Sequence, residues 1–186
     1  MFIQKVNKDI TIRQLKVSEA TALFHMTDGS RDYLRQWLPW VNQVETIDDS
    51  LEFIKEAFER YANRESLDCG LFYKDQLIGM ISMNYFDWTN KIGEIGYWLD
   101  IDYQGKGLMT LAVHALIERA FNDFELNKIE IHTASENSPS QAIPERLNFK
   151  KEGIIRDAEW LYDRHVDHFI YGLLKREWQN NEDAIQ

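Results

Sequence analysis

The spacing of apolar residues predicts helices and strands in successive blocks along the chain. Residues 9–15 alternate apolar and polar positions, which is typical of a strand with one buried face. Ser18 is the predicted N-cap of a helix that ends at Gly29, because Ser favours N-caps and Gly favours helix ends. Residues 33–40 predict a short second helix, and Thr46 is the predicted N-cap of a longer amphipathic helix.

Period-two spacing dominates the middle of the chain. Segments 67–73, 76–86 and 91–101 are strand-like, are separated by short polar turns, and predict an antiparallel meander. A glycine-containing loop follows, and a helix of about 15 residues is predicted to begin at Gly107. The residues of this helix that are predicted to face inward are Leu111, Ala112, Ala115, Leu116 and Phe121.

The last third of the chain predicts one further helix among three strands. Residues 128–134 are strand-like, and a helix then begins with Ser138 as N-cap and Pro139 at N1. Two strands, 149–161 and 164–178, follow and are joined by a short turn. The predicted order is therefore β-α-α-β-β-β-α-β-α-β-β, an α/β fold with a mixed sheet and helices on both faces.

Composition favours a single globular domain. The chain has 186 residues, of which 44% are hydrophobic and 13% aromatic, so it can build a sizeable core. We predict one domain over residues 1–178 and a polar tail at 179–186. Within the domain, the strand, loop, helix and strand of residues 94–134 predict a right-handed parallel crossover.

Charge and cysteine content exclude several classes of function. The net charge of −10 argues against a binder of nucleic acid or of anionic membranes. The N-terminus lacks the apolar segment of a secretory signal, and no apolar run approaches the length of a membrane span, so a cytoplasmic protein is expected. Cys69 stands alone, which excludes an internal disulfide and a CxxC metal site.

The segment 102–110, DYQGKGLMT, places two glycines between a predicted strand and a predicted helix. It is not a Walker A motif, because Asp100 occupies the place of the first glycine. Neither is it a dinucleotide fingerprint, because Thr110 stands where the third glycine belongs. Lys106 and the unpaired N–H groups of the helix start favour an anion; the alternative is an ordinary tight turn.

The spacing of Gln104, Gly107 and Met109 resembles the Q/R-x-x-G-x-G/A acetyl-CoA loop of the GNAT N-acetyltransferases. The predicted order of elements from residue 10 to about 178 is similar to that fold. Met109 replaces the usual Gly or Ala, so its side chain is expected to turn away from the phosphates. Asn148 replaces the glycine of an LGF motif, and Asn accepts positive φ better than most residues.

Three segments narrow the resemblance further. Residues 94–110, 136–149 and 157–178 resemble the ribosomal-protein N-terminal acetyltransferases of the Rim type. The resemblance implies transfer of an acetyl group from acetyl-CoA, as co-substrate, to a primary amine by direct attack in a ternary complex. No metal is expected to take part.

The resemblance also implies where the donor lies. The pantetheine arm is expected along the strand ahead of the loop, where that strand splays from its neighbour and a main-chain N–H polarises the thioester. Asn137 is expected to position this arm, and Ser140 to protonate the leaving thiolate. The residues expected to bind the donor through their main chain are Leu99, Asp100 and Ile101 for pantetheine, and Gln104, Gly105, Lys106, Gly107, Leu108, Met109 and Thr110 for the pyrophosphate.

Two carboxylates are alternatives for the base that deprotonates the amine. Glu159 corresponds by resemblance to the acid that Rim-type enzymes use through water, and it is preferred. Glu94 lies on the strand beside the donor, where other N-terminal acetyltransferases carry a glutamate. Deprotonation at pH 7 costs about 1 kcal/mol for an α-amine but about 4.6 kcal/mol for a lysine, so a weak base favours an N-terminal substrate.

Other residues leave their role open. Pro144 has no N–H for the carbonyl of Ser140, so the helix is predicted to kink and to leave this carbonyl for water or a ligand. His165 and His168 are predicted to point to opposite faces of a strand and not to chelate a metal. The aromatic residues that could line an acceptor cleft, form a dimer contact or pack in the core are Trp37, Trp40, Trp88 and Trp160.

The sequence thus predicts acetylation of the N-terminal α-amine of a protein, such as a ribosomal protein that begins with serine or alanine. One alternative is a small amine, such as a polyamine or an aminosugar, and another is a non-catalytic acyl-CoA-binding module. A wide cleft with exposed aromatics and acids would favour a peptide, whereas a closed acidic pocket would favour a polyamine. A homodimer is expected only by analogy with the family.

Overall fold

One eight-stranded mixed sheet organises the protein, which a computed structural model describes over residues 1–178. The strands are β1 (Ile3–Lys5), β2 (Ile10–Arg13), β3 (Leu67–Tyr73), β4 (Gln76–Asp87), β5 (Ile92–Leu99), β6 (Lys128–Ala134), β7 (Lys150–Leu161) and β8 (Arg164–Leu174). The helices are α1 (Ala20–Gly29), α2 (Arg31–Leu34), α3 (Ile47–Ala62), α4 (Leu108–Asn122) and α5 (Ser138–Arg146). The strand order is β1-β2-β3-β4-β5-β6-β8-β7. The predicted tail at 179–186 lies outside the described residues.

The predicted meander and the predicted parallel pairing are both present. β3, β4 and β5 pair antiparallel in chain order, and β5 pairs parallel with β6, which follows α4. The mixed sheet with its helices confirms the predicted fold class. The sequence pattern missed β1, a three-residue strand paired with β2, because so short a segment shows no periodicity.

The N-terminal helices differ from the prediction at their ends. Ser18 lies in a 3₁₀ turn ahead of α1 and is not the N-cap of that helix. The second helix ends at Leu34, well before the predicted end. The Arg31 guanidinium donates hydrogen bonds to the carbonyls of Val41 and Val44, both at 2.7 Å, and thereby holds the chain folded back after one helical turn.

The C-terminal half shows three further differences. The N-cap of α5 is Asn137 rather than Ser138, because the Asn137 side chain accepts the N–H of Ser140 at 3.2 Å. β8 ends at Leu174, short of the predicted end of that strand. Leu111 is 47% exposed, although it was predicted to face inward, because it lies on the side of α4 that borders an open cavity. The other four predicted inward residues of α4 are buried.

Helices cover both faces of the sheet. α4 packs on one face, against Ile95 of β5 among others, and α1 and α3 pack on the opposite face, against Met80 of β4. Because side chains alternate along a strand, β5 serves both faces. It directs Ile95, Tyr97 and Leu99 toward the α4 face and Glu94, Gly96 and Trp98 toward the α1–α3 face. No helix within residues 1–178 is long and apolar enough to span a membrane.

The pairing between β5 and β6 covers only a short stretch. The register runs from Ile92 opposite Lys128 to Glu94 opposite Glu130, and the two strands separate beyond that point. β5 stays paired with β4 throughout, and the N–H of Asp100 donates to a β4 carbonyl at 2.9 Å. Since main-chain groups alternate sides along the ladder, those of Tyr97 and Leu99 face the gap.

A capping prediction follows from the start of α3. The Thr46 hydroxyl accepts the N–H of Asp49, and the Asp49 carboxylate accepts the N–H of Thr46 at 2.7 Å, which also lowers the pKa of Asp49. We expect Thr46→Ala to lower the free energy of unfolding by about 1 kcal/mol in urea denaturation. Ser18→Ala is the matched control and should leave stability unchanged. Equal losses in the two variants would contradict the assignment of Thr46 as the cap.

Candidate active site

A cavity of about 930 Å³ lies at the gap between β5 and β6. Its volume suits a small-molecule ligand of considerable size. The predicted site residues that line it come from four segments of the chain, which are β5, the glycine loop with the start of α4, the start of α5, and β7: Glu94, Leu99, Gln104, Gly105, Lys106, Gly107, Leu108, Met109, Thr110, Asn137, Ser140 and Glu159. The fold thus brings together the glycine loop, the candidate acid Ser140, and the two alternative bases Glu159 and Glu94.

The glycine loop forms one end of this cavity. Gly105 and Gly107 have φ of 71° and 73°, values that residues with a side chain rarely adopt. Gly107 is the N-cap of α4 and supplies no side chain, and the first helical bond runs from the N–H of Leu111 to the carbonyl of Gly107. The preceding N–H groups of α4 therefore have no carbonyl of the helix to pair with, and they suit the binding of an anion.

Side chains of the loop leave this site accessible. Met109 is only 5% exposed and packs in the core, so its side chain turns away from the loop as predicted. The Lys106 ammonium donates to the carbonyl of Asp102 at 2.8 Å and stays at the solvent side of the loop. The Gln104 amide lies 3.5 Å from the carbonyl of Leu99, which ties the loop to the end of β5.

Two predicted donor-binding residues do not line the cavity. The N–H of Asp100 donates to Ile78, and its carbonyl accepts the N–H of Tyr103 at 3.0 Å, so neither group is available to a ligand. Ile101 is half exposed, and its carbonyl accepts the N–H of Gln104. The main chain that faces the gap belongs instead to Leu99 and Tyr97, because the alternation of the ladder sets it there.

Hydroxyl groups gather on the α4 face of the gap. The Tyr97 phenol donates to the carbonyl of Ser140 at 2.8 Å, and the Ser140 hydroxyl lies 3.5 Å from the same phenol oxygen. Tyr97 thereby satisfies the carbonyl that Pro144 cannot, and the prediction that this carbonyl is left for water or a ligand is wrong. Burial raises the pKa of Tyr97 well above its usual value, so the phenol stays protonated.

Carboxylates gather on the opposite face. Glu94 accepts a hydrogen bond from the Asn84 amide at 2.8 Å and lies 3.4 Å from Nδ1 of His132. Asn84 reaches it because a β-bulge interrupts β4 at this residue. A Cβ at Gly96 would lie 2.6 Å from the Asn84 amide nitrogen, so a side chain at this position would displace the Asn84 amide from its place beside Glu94.

The second ring nitrogen of His132 continues this network. Nε2 lies 3.2 Å from the Glu130 carboxylate, which also accepts from the Lys128 ammonium at 2.7 Å. Burial by itself would raise the pKa of Glu130, but the hydrogen bond and charge of Lys128 outweigh it and hold this pKa below its usual value. Glu130 therefore remains ionised beside the candidate base Glu94, and the face as a whole favours a cationic substrate.

Glu159 reaches the same face from β7. Its carboxylate lies 3.5 Å from Nε2 of His168, and both side chains line the cavity. His165 instead packs against the edge of Trp160, with ring centroids 4.8 Å apart. The two histidines of β8 are thus directed to different surroundings, which agrees with the prediction that they do not chelate together.

The tryptophans divide between the cavity and other locations. Trp37 lines the cavity, as does Trp98, on which Trp40 packs with ring centroids 5.9 Å apart. Trp88 stacks on a core phenylalanine and donates to a main-chain carbonyl elsewhere, and Trp160 is 55% exposed. Among the tryptophans, those on the segment after α2 and on strand β5 therefore contribute to the wall of the cavity.

Sequence reasoning did not assign several polar lining residues to the site, and four of these, Asn84, Tyr97, His132 and His168, make the contacts described above. Pro144 is the sequence feature that could have led to Tyr97. It leaves the carbonyl of Ser140 without a main-chain donor, and such a carbonyl requires another partner when it is buried. The signal for Asn84 was absent, since a bulge in β4 cannot be read from alternation alone. Tertiary pairing of β4, β5, β6 and β8 brings all four together.

The arrangement provides two chemically different sides of one opening. The α4 face offers neutral hydroxyls and the free N–H groups of a helix start, which suit an anionic donor and a leaving group. The opposite face offers carboxylates beside imidazoles, which suit an amine that must lose a proton. Cys69 takes no part, because it is buried and burial raises the pKa of its thiol well above the usual value.

Comparison with known proteins assigns the family. The sequence pattern described as an acetyltransferase (GNAT) domain matches residues 9–150, which is well over half of the chain. The chain belongs to the GNAT acetyltransferase family. Acetyl-CoA is the acetyl donor in this family, and the predicted fold and enzyme class are confirmed.

Relatives of known or provisional name agree with this assignment. Bacillus subtilis YdaF, provisionally named a ribosomal N-acetyltransferase, is 38% identical over 98% of this chain and 100% of its own length. A ribosomal-protein-serine acetyltransferase of Escherichia coli is 29% identical over 90% of this chain and 93% of its own. A similar solved structure is that of the microcin C7 self-immunity acetyltransferase MccE in complex with acetyl-CoA and AMP. Its sequence is 30% identical to this chain, and the two structures superpose with a TM-score of 0.88 over 91% of this chain and 94% of that chain.

A double-mutant cycle tests the bond between Tyr97 and the Ser140 carbonyl. We expect Tyr97→Phe to lower the free energy of unfolding by about 1–2 kcal/mol, because a partly buried carbonyl loses its donor. Pro144→Ala supplies a main-chain N–H for the same carbonyl, so Tyr97→Phe should cost less in that background. Urea denaturation of the four proteins measures this coupling, and equal costs in both backgrounds would show that the phenol does not serve this carbonyl.

Proposed function

We propose that this protein transfers the acetyl group of acetyl-CoA to the N-terminal α-amine of a protein, such as a ribosomal protein that begins with serine or alanine. The observation that carries the proposal is one cavity at the β5–β6 gap with hydroxyls on one face and carboxylates on the other. A ribosomal-protein-serine acetyltransferase among the relatives supports this choice of acceptor.

The residues present fit acetyl-CoA as donor. The positive φ of two loop glycines leaves the start of α4 open, so its N–H groups would hold the pyrophosphate. Tyr97 and Leu99 direct their main chain to the gap and would pair with the pantetheine amides, in place of Asp100 and Ile101. When bound, acetyl-CoA supplies an acetyl group on a sulfur leaving group.

The α4 face receives the leaving group. Ser140 is the proton donor for the departing sulfur, and Asn137 fixes its position through the bond to the N–H of Ser140. Tyr97 holds the other end of the same residue through its carbonyl. Two independent contacts thus set the position of one hydroxyl, which a proton transfer requires.

The opposite face receives the amine. We infer that Glu159 is the base, acting through water, and that Glu94 belongs to the wall that attracts the cationic amine. Glu94 already accepts from Asn84 and lies beside His132, whereas Glu159 has His168 as its neighbour and more of its acceptor capacity left. A weak base suffices for an α-amine, since its deprotonation at pH 7 costs about 1 kcal/mol.

The shape of the cleft supports an acceptor that enters as a chain end. Tyr162, in the β7–β8 turn, donates to the carbonyl of Leu38 at 2.7 Å, and the Arg35 guanidinium lies 4.8 Å from the Tyr162 ring centre. This contact ties the hairpin to the segment after α2, whose Trp37 lines the cavity. A large open cavity with aromatic and acidic walls favours a peptide over a polyamine.

Release of CoA from acetyl-CoA tests the acceptor. The purified protein is given three substrates: a peptide that begins with serine, the same peptide with a blocked N-terminus and a free lysine, and spermidine. We expect turnover with the first peptide alone, because its α-amine is the easiest of the three kinds of amine to deprotonate near neutral pH and its chain is long enough to fill the cleft. Turnover with spermidine alone would move the function to small amines, and binding of acetyl-CoA without any turnover would leave an acyl-CoA-binding module.

Paired variants test the two carboxylates. Glu159→Gln is expected to lower kcat at pH 7 by about 100-fold or more, with partial recovery at pH 9, where the amine (pKa ~7.8) has already lost its proton. Glu94→Gln is the matched control and should mainly raise the KM of the peptide, because it removes a charge from the binding wall. The reverse pattern in a pH profile of both variants would make Glu94 the base.

A further inference from the structure

One buried hydroxyl at the cavity has no partner in the protein. Thr133 of β6 is 3% exposed, lines the cavity, and its Oγ1 makes no hydrogen bond with any residue of the described range 1–178. A buried hydroxyl without a partner destabilises a protein. A native structure tolerates such a group most readily where a ligand completes it.

The register between β5 and β6 determines which residue of β5 lies opposite Thr133. Glu94 stands opposite Glu130 in the parallel β5–β6 ladder, so the same offset carried into the gap sets Tyr97 opposite Thr133. Ile129 and Ile131 of β6 are buried in the main core with α4, and Thr133 follows them on the same face by alternation. Thr133 and Tyr97 therefore flank the opening on the α4 face.

The hydroxyls of Tyr97, Ser140 and Thr133 differ in whether their hydrogen already has an acceptor. The Tyr97 hydrogen is committed to the carbonyl of Ser140 at 2.8 Å, and the Ser140 hydroxyl has the Tyr97 oxygen within 3.5 Å. The Thr133 hydrogen has no acceptor. Of these three hydroxyls, Thr133 is thus the one that can donate to a ligand in the gap without breaking an existing bond; the Trp37 indole N–H, which also has no partner within the described residues, lies on the segment after α2.

We propose that the Thr133 hydroxyl donates a hydrogen bond to the sulfur of the acetyl donor and holds the thiolate as it leaves. The inference rests on the proposed function, which sets the sulfur beside Ser140. The amine nitrogen bonds to the acetyl carbon, the carbon–sulfur bond breaks, and its electron pair passes to sulfur. The amine proton goes to the base through water, and Ser140 delivers a proton to sulfur. Ser140 then regains a proton from water as the base releases the one it took, and Thr133 keeps its own throughout.

The first test compares CoA with desulfo-CoA, which lacks the sulfur atom, in calorimetric titrations at pH 9, where a thiol with pKa near ~8.5 is mostly ionised. Thr133→Val keeps the shape of the side chain and removes the hydroxyl. We expect this variant to bind CoA about 10-fold more weakly and desulfo-CoA as tightly as the unmodified protein. Thr133→Ser retains the hydroxyl and should retain the preference for CoA.

Equal losses for the two ligands would overturn the proposal, because the hydroxyl would then bind a pantetheine amide rather than the sulfur. Unchanged affinity for both would overturn it as well. Because these titrations need no acceptor, they test Thr133 even if the acceptor assignment under the proposed function fails. With an active acceptor, Thr133→Val should lower kcat about 10-fold or more at an unchanged KM for the acceptor.

Thermal unfolding of the free protein supplies an independent readout. If Oγ1 has no partner in the free protein, Thr133→Val removes a destabilising group and should raise the melting temperature. A lower melting temperature in Thr133→Val together with a normal one in Thr133→Ser would show that the hydroxyl has a structural partner, which contradicts the proposal.

Discussion

The early end of the parallel pairing between β5 and β6 is the constraint on which the rest of the site depends. Pairing stops after Glu94 and Glu130, yet β5 continues along β4 to Leu99. Main-chain groups of β5 are therefore free on one side while the strand stays rigid on the other. A ligand that enters the gap can pair with an edge that the sheet holds in place, so little ordering is required on binding.

The sheet also separates the two halves of the chemistry. Side chains of β5 alternate, so Tyr97 faces the hydroxyls of α5 while Glu94 faces the carboxylates and imidazoles. The two faces have different surroundings, because burial keeps Tyr97 protonated on one face whereas Lys128 keeps Glu130 ionised on the other. In the proposed reaction, the two faces act together at the point where β5 and β6 separate.

Local features carry a cost at this site that the surrounding core offsets. The loop glycines adopt left-handed φ, the first N–H groups of α4 lack helical partners, and the hydroxyl of Thr133 is unpaired. Left-handed φ costs glycine little, whereas N–H groups and a buried hydroxyl without partners are unfavourable in the free protein and become useful when a ligand is present. The buried residues of α4 and of the central strands hold these features in place. The overall charge of −10 does not prevent anion binding, since helix N–H groups act at short range.

The sequence by itself determined the element types, the mixed sheet and the glycine loop, because hydrophobic period and glycine placement are local properties. It also marked Ser140, Glu94 and Glu159 through the family resemblance, and all three line the cavity. Only the tertiary structure decided which main-chain groups face the gap, since the N–H of Asp100 is paired with β4 whereas the main chain of Leu99 is directed away from that strand. It likewise revealed Tyr97, Asn84 and Thr133, because a bulge, a strand register and an unpaired buried hydroxyl exist only once distant segments have met.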